Sequence, residues 1–125
     1  MNDPRKQAFS GYIRRIADEM GLRDWRICIV DDPPDPDNLA ECDARYGRKV
    51  VNLYFSETFL DYEPDRQRQN IVHELLHAHT AHLHHFLCKE LNSTAFTAYN
   101  LALEYAVDGI AEEWARHLPL PEEVG

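Results

Sequence analysis

Cysteine is scarce in this chain, and its few cysteines are widely spaced. Cys28, Cys42 and Cys88 are the only three among 125 residues, and no two of them form a CxxC pair. An odd number of scattered cysteines excludes a disulfide framework as the basis of the fold and is typical of a reducing compartment. We therefore expect small free thiols that lie buried or half-buried.

The chain also lacks a long apolar run, a signal peptide and an excess of basic residues. Its apolar runs are far shorter than the roughly 20 residues that cross a bilayer, and its first 15 residues are too polar for a signal peptide. Thirteen basic residues against 22 acidic ones give a net charge of −9. Because phosphate binding needs a basic surface, nucleic acid is not an expected partner. The sequence predicts a cytoplasmic protein that does not associate with a membrane.

The order of helix and strand patterns predicts a single α+β domain over residues 1–125, with a small three-stranded sheet. A proline-rich and aspartate-rich stretch at 31–38 is expected to be an acidic loop. The expected elements are a first helix from Asp3-Pro4 to Gly21, strands within 25–30, 39–46 and 49–55, a short helix from Ser56 to Leu60, a histidine-containing helix from Pro64-Asp65, and a last helix from Asn92 or Ser93 to His117, ended by Pro119 and Pro121.

Six of the seven histidines lie in IVHELLHAHTAHLHH, residues 71–85, within one predicted helix. Successive residues of a helix turn by about 100°, so His77 lies only about 40° from His73 and one turn further along. Two histidines at this i,i+4 spacing can bind one zinc ion from one face. The opposite side is a predicted core face that consists of Ile71, Val72, Leu75, Leu76, Leu83 and Phe86.

The other histidines of this helix point in other directions. His79 falls inside the apolar arc at about 240° and His82 at its edge at about 180°, so both are expected to be core or boundary residues hydrogen-bonded to neighbours. His84 returns to the metal side, but it lies about 10 Å beyond His77 along the helix, where it can line a cleft without binding the same ion. His85 is expected at the surface.

Glu74 completes a His-Glu-x-x-His motif, H73-E-L-L-H77. A zinc ion held by two imidazoles and one further ligand keeps a position open for water, and it lowers the pKa of that water to about 7. An adjacent carboxylate can take the proton of this water and later deliver a proton to a leaving amine. Glu74 is therefore the candidate general base.

An acidic pair follows in the last helix. Glu104 and Asp108 stand together at i,i+4 spacing beside a predicted core face that includes Val107, Ile110 and Trp114. Such a pair is typical of a solvated helix edge. Alternatively, Glu104 is the third zinc ligand, and Asp108 accepts the free N–H of a zinc-bound histidine and thereby sets its tautomer.

HExxH followed after 26 residues by E104-Y-A-V-D108 resembles the gluzincin metallopeptidases, which pair HExxH with a downstream ExxxD motif. The small size and the three short strands before the HExxH helix look most like the minimal members, the minigluzincins. The rival metzincin motif, HExxHxxGxxH, is excluded because Thr80 stands where the motif has Gly and Leu83 stands where it has the third His. The resemblance implies a zincin-like fold and one Zn²⁺ per chain, with His73, His77 and Glu104 as ligands, Glu74 as general base and Asp108 as support for a ligand histidine.

The resemblance also implies that a strand lines the cleft and pairs with an extended peptide. Residues 40–46 are the candidate strand, because the charges of Glu41, Asp43 and Arg45 are typical of an exposed edge. Larger gluzincins carry a Tyr or His that donates to the developing oxyanion. The candidate donors in this chain are Arg45, Tyr46, His84 and Tyr105.

These features predict a zinc-dependent metallopeptidase that acts on a peptide or protein, with a monomer favoured. Two alternatives stay open at this point. One is a catalytically silent or latent zinc-containing module that binds a peptide or partner, with the tail at 118–125 lying in the cleft as an extended segment. The other is a histidine cluster that buffers metal ions without a catalytic site.

Overall fold

The computed structural model describes residues 4–30, 40–44 and 48–124 and confirms the predicted mixture of helices and strands. The predicted loop at 31–38, the residues Arg45 and Tyr46, and the side chain of His82 lie outside the described part. The elements are α1 (Pro4–Glu19), β1 (Arg26–Val30), β2 (Ala40–Ala44), β3 (Val50–Phe55), α2 (Glu57–Leu60), α3 (Pro64–Glu90), α4 (Ser93–Ala115) and α5 (Pro121–Val124).

The strands lie in the order β1-β3-β2. β1 runs parallel to β3, with Ile27 beside Val51, and β2 runs antiparallel to β3, with Cys42 beside Leu53. Side chains of β3 alternate between half-buried and buried, because successive residues of a strand point to opposite faces. Among the described strands β2 is an edge strand, and it lies against α3.

The core lies among α1, β3 and the first half of α3. Four of the six residues predicted for the core face of α3 are buried: Ile71, Val72, Leu75 and Leu76. They belong to one cluster with Ile13, Ile16 and Met20 of α1, with Val51, Leu53 and Phe55 of β3, and with Phe59 of α2.

The core prediction was wrong for Leu83, Phe86 and Ile110, which are 53%, 54% and 51% exposed. A helix of 27 residues is about 40 Å long, whereas a strand of six residues spans about 20 Å. The last third of α3 therefore extends beyond the elements on which its first half packs. Periodicity identifies the apolar face of a helix, but not how far along the helix that face is covered.

A tight turn connects α1 to β1 and is held against the middle of α3. Gly21 has φ 81°, a left-handed conformation that glycine adopts without steric cost, as its predicted role as a helix stop requires. Arg14 donates hydrogen bonds of 2.7 Å to the carbonyl oxygens of Leu22 and Trp25. His79 Nε2 donates to the carbonyl oxygen of Met20, also at 2.7 Å.

The predicted helix starts agree with the observed caps. Ser56 accepts a hydrogen bond from the Phe59 amide at the start of α2, and Asn92 accepts one of 2.8 Å from the Ala95 amide at the start of α4. Pro64 occupies the first position of α3, where a missing N–H costs no helical hydrogen bond.

The C-terminal tail departs from the expectation of an extended segment. α4 ends at Ala115, two residues before the predicted His117, and the tail forms the short helix α5 with Pro121 at its first position. Tyr12 donates its hydroxyl hydrogen to the Pro119 carbonyl oxygen at 2.7 Å, and Arg68 donates to that of Leu118 at 2.8 Å. These bonds attach the tail to α1 and to the first turns of α3.

Two of the expectations drawn from scarce residue types can be compared with the described part of the chain. Cys28 is a half-buried free thiol, as expected, whereas Cys88 is exposed. In this part of the chain, no helix combines the length and apolarity that crossing a bilayer would require.

The hydrogen bond from Tyr12 to Pro119 predicts that the tail contributes to stability. Tyr12→Phe removes this bond while it keeps a ring that is only 4% exposed, so we expect the free energy of unfolding to fall by about 1 kcal/mol in urea titrations. The control is Tyr62→Phe, because the contacts of the Tyr62 ring with Phe59 and Arg66 do not involve its hydroxyl. Equal stability of Tyr12→Phe and the parent chain would contradict the prediction.

Candidate metal centre

The helices α3 and α4 form an antiparallel hairpin connected by Leu91 and Asn92. In such a hairpin, residues at similar distances before and after the connection lie opposite each other. His77 precedes Leu91 by 14 residues and Glu104 follows Asn92 by 12. The short connection therefore places the acidic pair of α4 beside the histidine pair of α3.

The three predicted ligands converge at this point of the hairpin. His77 Nε2 lies 3.3 Å from His73 Nε2. The Glu104 carboxylate spans the two rings, with Oε1 at 3.1 Å from His77 Nε2 and Oε2 at 3.5 Å from His73 Nε2. Among the described residues, this is the group of three metal-ligating side chains that lie close enough together to hold one ion.

The distances between these donor atoms fit a tetrahedral zinc ion. Ligand atoms that are each about 2.0–2.1 Å from a tetrahedral zinc ion are about 3.3–3.4 Å apart. The separation of the two imidazole nitrogens, 3.3 Å, and that of His77 Nε2 from Glu104 Oε1, 3.1 Å, lie close to this value, whereas the 3.5 Å contact of His73 is with the second carboxylate oxygen. Two imidazole nitrogens and one carboxylate are also a donor set that zinc accepts, and three protein ligands leave a fourth position open.

Asp108 lies within hydrogen-bonding distance of His73. Its Oδ1 lies 2.8 Å from His73 Nδ1, so the ring donates its Nδ1 hydrogen to this carboxylate. The Nε2 lone pair of the neutral ring is then directed towards His77 and Glu104. The sequence predicted this supporting role for Asp108, and the structure places the residue where it can perform it.

The nitrogen and oxygen atoms of these three side chains converge on one point. The Nε2 lone pair of His73 meets the Glu104 carboxylate and His77 Nε2 within 3.5 Å. Acceptors at this distance repel one another unless a proton or a metal ion lies among them. Burial lowers the pKa of His77 below its usual value; His73 and His84 also lower it, while Glu104 and Asp108 oppose the shift. His77 is therefore biased towards the neutral imidazole, which is the form that binds a metal ion.

Glu74 lies beside the three candidate ligands without being one of them. Its Oε2 is 3.9 Å from His73 Nε2, and its side chain is only 14% exposed. The i,i+1 spacing rotates Glu74 away from the face of His73 and His77, so its carboxylate approaches the site from the side. Glu74 is thus adjacent to the candidate ligands, as its predicted role as general base assumes.

The site is open on one side. The side chains of His73 and His77 are 21% and 23% exposed, whereas those of Glu104 and Asp108 are 51% and 64% exposed. The two histidine side chains are thus mostly buried, whereas the two acidic side chains on α4 face the solvent. The edge strand β2 lies against α3 as well.

The other described histidines of α3 do not join the three candidate ligands. His79 makes the predicted hydrogen bond to a neighbour, but its side chain is exposed rather than part of the core. It stacks on Trp114 with ring centroids 6.4 Å apart. His85 is half-buried, although it was expected at the surface.

His84 lies against two aromatic rings that sequence analysis did not connect with the site. Its ring centroid is 5.3 Å from that of Phe96 and 5.8 Å from that of Tyr99. The Tyr99 hydroxyl is buried without a hydrogen-bond partner among the described residues, and its desolvation raises the pKa of Tyr99. The spacing about the Leu91–Asn92 connection could have predicted these contacts, because His84 and Tyr99 are each seven residues from it.

Comparisons of the chain with protein families, with characterised proteins and with solved structures gave no match. The functional interpretation of this centre therefore depends on its own geometry and chemistry.

Proposed function

We propose that this chain is a zinc-dependent metallopeptidase of the gluzincin type with a minimal zincin-like fold. The observation that carries the proposal is the convergence of His73, His77 and Glu104, whose potential ligand atoms all lie within 4.8 Å of one another and are of the types that zinc accepts. Asp108 supports the proposal further, because its contact with His73 Nδ1 leaves the Nε2 lone pair of His73 directed towards His77 and Glu104.

Zinc bound by His73, His77 and Glu104 would supply a Lewis acid and a water of lowered pKa. Glu74 is the residue that accepts the proton of this water, because its carboxylate lies beside the ligands and its partial burial keeps it in place. As the peptide bond breaks, the same carboxylate delivers the proton to the leaving amine. Asp108 keeps His73 in one tautomer throughout, so that the ligand does not lose its lone pair by a proton shift.

An extended peptide is the substrate that suits the surroundings of the site. β2 is an edge strand that lies against α3, and a strand edge binds an extended chain through main-chain hydrogen bonds. Of the candidate oxyanion donors, Tyr105 follows the ligand Glu104 directly and is 72% exposed, which leaves it accessible to a substrate. His84 is instead half-buried against Phe96 and Tyr99.

The alternative of a latent module with its tail in the cleft has less support. The described hydrogen bonds of the tail carbonyls of Leu118 and Pro119 are with Arg68 and Tyr12, neither of which is a ligand residue. Removing the tail is therefore expected to lower stability rather than to release activity.

The proposed centre predicts about one tightly bound zinc ion per chain after dialysis, measured by mass spectrometry of the metal. Glu104→Ala should lose this zinc without unfolding the chain, because the Glu104 side chain is half exposed. His117→Ala is the control, since His117 is an exposed histidine that lies just after α4 and pairs with Glu113. Several weakly bound ions per chain, unaffected by Glu104→Ala, would favour a metal-buffering histidine cluster instead.

The proposed role of Glu74 predicts a variant that keeps zinc and loses activity. Glu74→Gln preserves the size of the side chain but removes the base, so hydrolysis of quenched fluorescent peptides or casein should fall about 100-fold to 10,000-fold. Glu112→Gln is the control, because Glu112 is exposed on α4 and pairs with Arg116. Undiminished cleavage by Glu74→Gln at full zinc content would refute the mechanism.

The proposed role of Asp108 predicts a separate effect on metal affinity. Asp108→Asn removes the charge that fixes the His73 Nδ1 hydrogen, so zinc affinity should fall about 10-fold to 100-fold in competition with a chelator. Asp24→Asn serves as the control, since Asp24 pairs with Lys49 on the surface. Unchanged affinity in Asp108→Asn would mean that the contact with His73 does not support the metal.

A further inference from the structure

A cavity of about 740 Å³ lies on the side of α1 to which the C-terminal tail is attached. Its walls come from four helices, α1, α2, α3 and α5, with Phe9, Gly11, Leu60, Gln67, Pro121 and Glu122 among the lining residues. The three candidate zinc ligands and Glu74 do not line it. The cavity is therefore separate from the candidate metal centre.

The cavity has the size and the lining of a small-molecule site. Pockets that bind small molecules measure roughly 300–1,000 Å³ and combine mostly apolar walls with a few polar groups. Phe9, Leu60 and Pro121 supply apolar surface here. The cavity is open beside α1, where Ala8 and Gly11 are exposed. A ligand with an apolar or aromatic body can therefore enter and displace water from these side chains.

Gln67 supplies a hydrogen-bond acceptor that the protein does not use. The residue is only 7% exposed, and its Nε2 donates to the carbonyl oxygens of Phe59 at 3.3 Å and Leu60 at 3.1 Å. These bonds fix the orientation of the side-chain amide, which leaves Oε1 as the remaining acceptor. Oε1 has no hydrogen-bond partner among the described residues. Because buried polar atoms are normally hydrogen-bonded, a ligand that displaces water from this acceptor has to donate to it.

The two charged residues of the lining differ in whether they are paired. Arg5 Nη1 lies 2.8 Å from Asp61 Oδ1, which balances the charge of the guanidinium. The Glu122 carboxylate is exposed and has no ion-pair partner among the described residues. The uncompensated charge of the lining is therefore negative, and it complements a cation rather than an anion.

We propose that this cavity binds an apolar or aromatic amine. Its ammonium group donates a hydrogen bond to Gln67 Oε1 and is attracted by Glu122, while its apolar body packs against Phe9, Leu60 and Pro121. Because α5 forms one wall, the bound amine also stabilises the folded position of the tail. The site is independent of the proposed metallopeptidase function, and either can fail while the other stands.

The test is an NMR titration of the zinc-loaded, ¹⁵N-labelled full chain with 2-phenylethylamine up to about 10 mM. We expect a Kd of about 1 mM, the magnitude for a ligand of about nine non-hydrogen atoms in an open site. The backbone amide of Gly11 and the side-chain amide of Gln67 should shift together. Two probes of similar shape test the charge: 2-phenylethanol should bind about threefold more weakly, and 3-phenylpropionate more weakly still.

Two glycines provide a matched pair of variants that test the location. A Cβ added at Gly11 or at Gly109 meets no atom within 4 Å, and both residues are exposed within helices, but of the two only Gly11 lines the cavity. Gly11→Phe should abolish binding, because its ring occupies the cavity, whereas Gly109→Phe should bind the amine as the parent chain does. Both should keep the circular dichroism of the parent.

Glu122→Gln separates the contribution of charge from that of shape. It should weaken binding of 2-phenylethylamine about threefold and leave that of 2-phenylethanol unchanged, because the carboxylate is exposed and its attraction is partly screened. An equal effect on both probes would contradict the assigned role of Glu122.

Several other results would overturn the proposed site. Absence of any shift up to about 10 mM would do so, and so would shifts confined to His73 and His77, which would mean that the amine binds zinc. Binding of 3-phenylpropionate as tight as that of the amine would refute the proposed ligand class. Full binding by Gly11→Phe, or loss of binding in Gly109→Phe, would refute the location.

Discussion

The antiparallel packing of α4 on α3 is the constraint on which the candidate site depends. His73 and His77 are adjacent on α3 by helical geometry alone, but two imidazoles do not define a metal site. Glu104 reaches them because the two-residue connection at Leu91–Asn92 brings the middle of α4 back beside the middle of α3. The same register places Asp108 at 2.8 Å from His73 Nδ1. One short connection thus positions the third candidate ligand and the residue that orients the first.

One face of α3 packs in the core, and another face carries the candidate metal site. Ile71, Val72 and Leu75 are fully buried against α1 and the sheet, which fixes the rotation of the helix about its axis. With that rotation fixed, His73 and His77 face α4 and remain partly exposed. A change in the packing of the apolar face would turn the histidines away from Glu104. Core packing therefore stabilises the geometry of the site as well as the fold.

Much of the fold followed from local sequence patterns, and the exceptions share a physical cause. The caps at Ser56 and Asn92 and the start at Pro64 were predictable because each depends on hydrogen bonds or backbone geometry within a few residues. The burial of Leu83, Phe86 and Ile110 was predicted wrongly, because burial depends on whether another element reaches that far along the helix. His79 shows the same limit: its hydrogen bond was expected, but its acceptor, Met20, is distant in sequence. The short helix α5 was missed for a related reason, since it packs on α1 at the other end of the chain.

The sequence by itself determined which chemistry this protein can support: an i,i+4 pair of histidines, a carboxylate between them and an acidic pair on a following helix, each set by the fixed rotation of an α-helix. Only the tertiary structure shows what lies opposite the acidic pair. A solvated helix edge and a ligand with its supporting carboxylate have the same spacing, and they differ in what lies across from them. The packing of α3 on α4 places His73 and His77 there, at 2.8–3.5 Å from Glu104 and Asp108. Helical periodicity acts within one element, whereas this convergence depends on the distance and register between two.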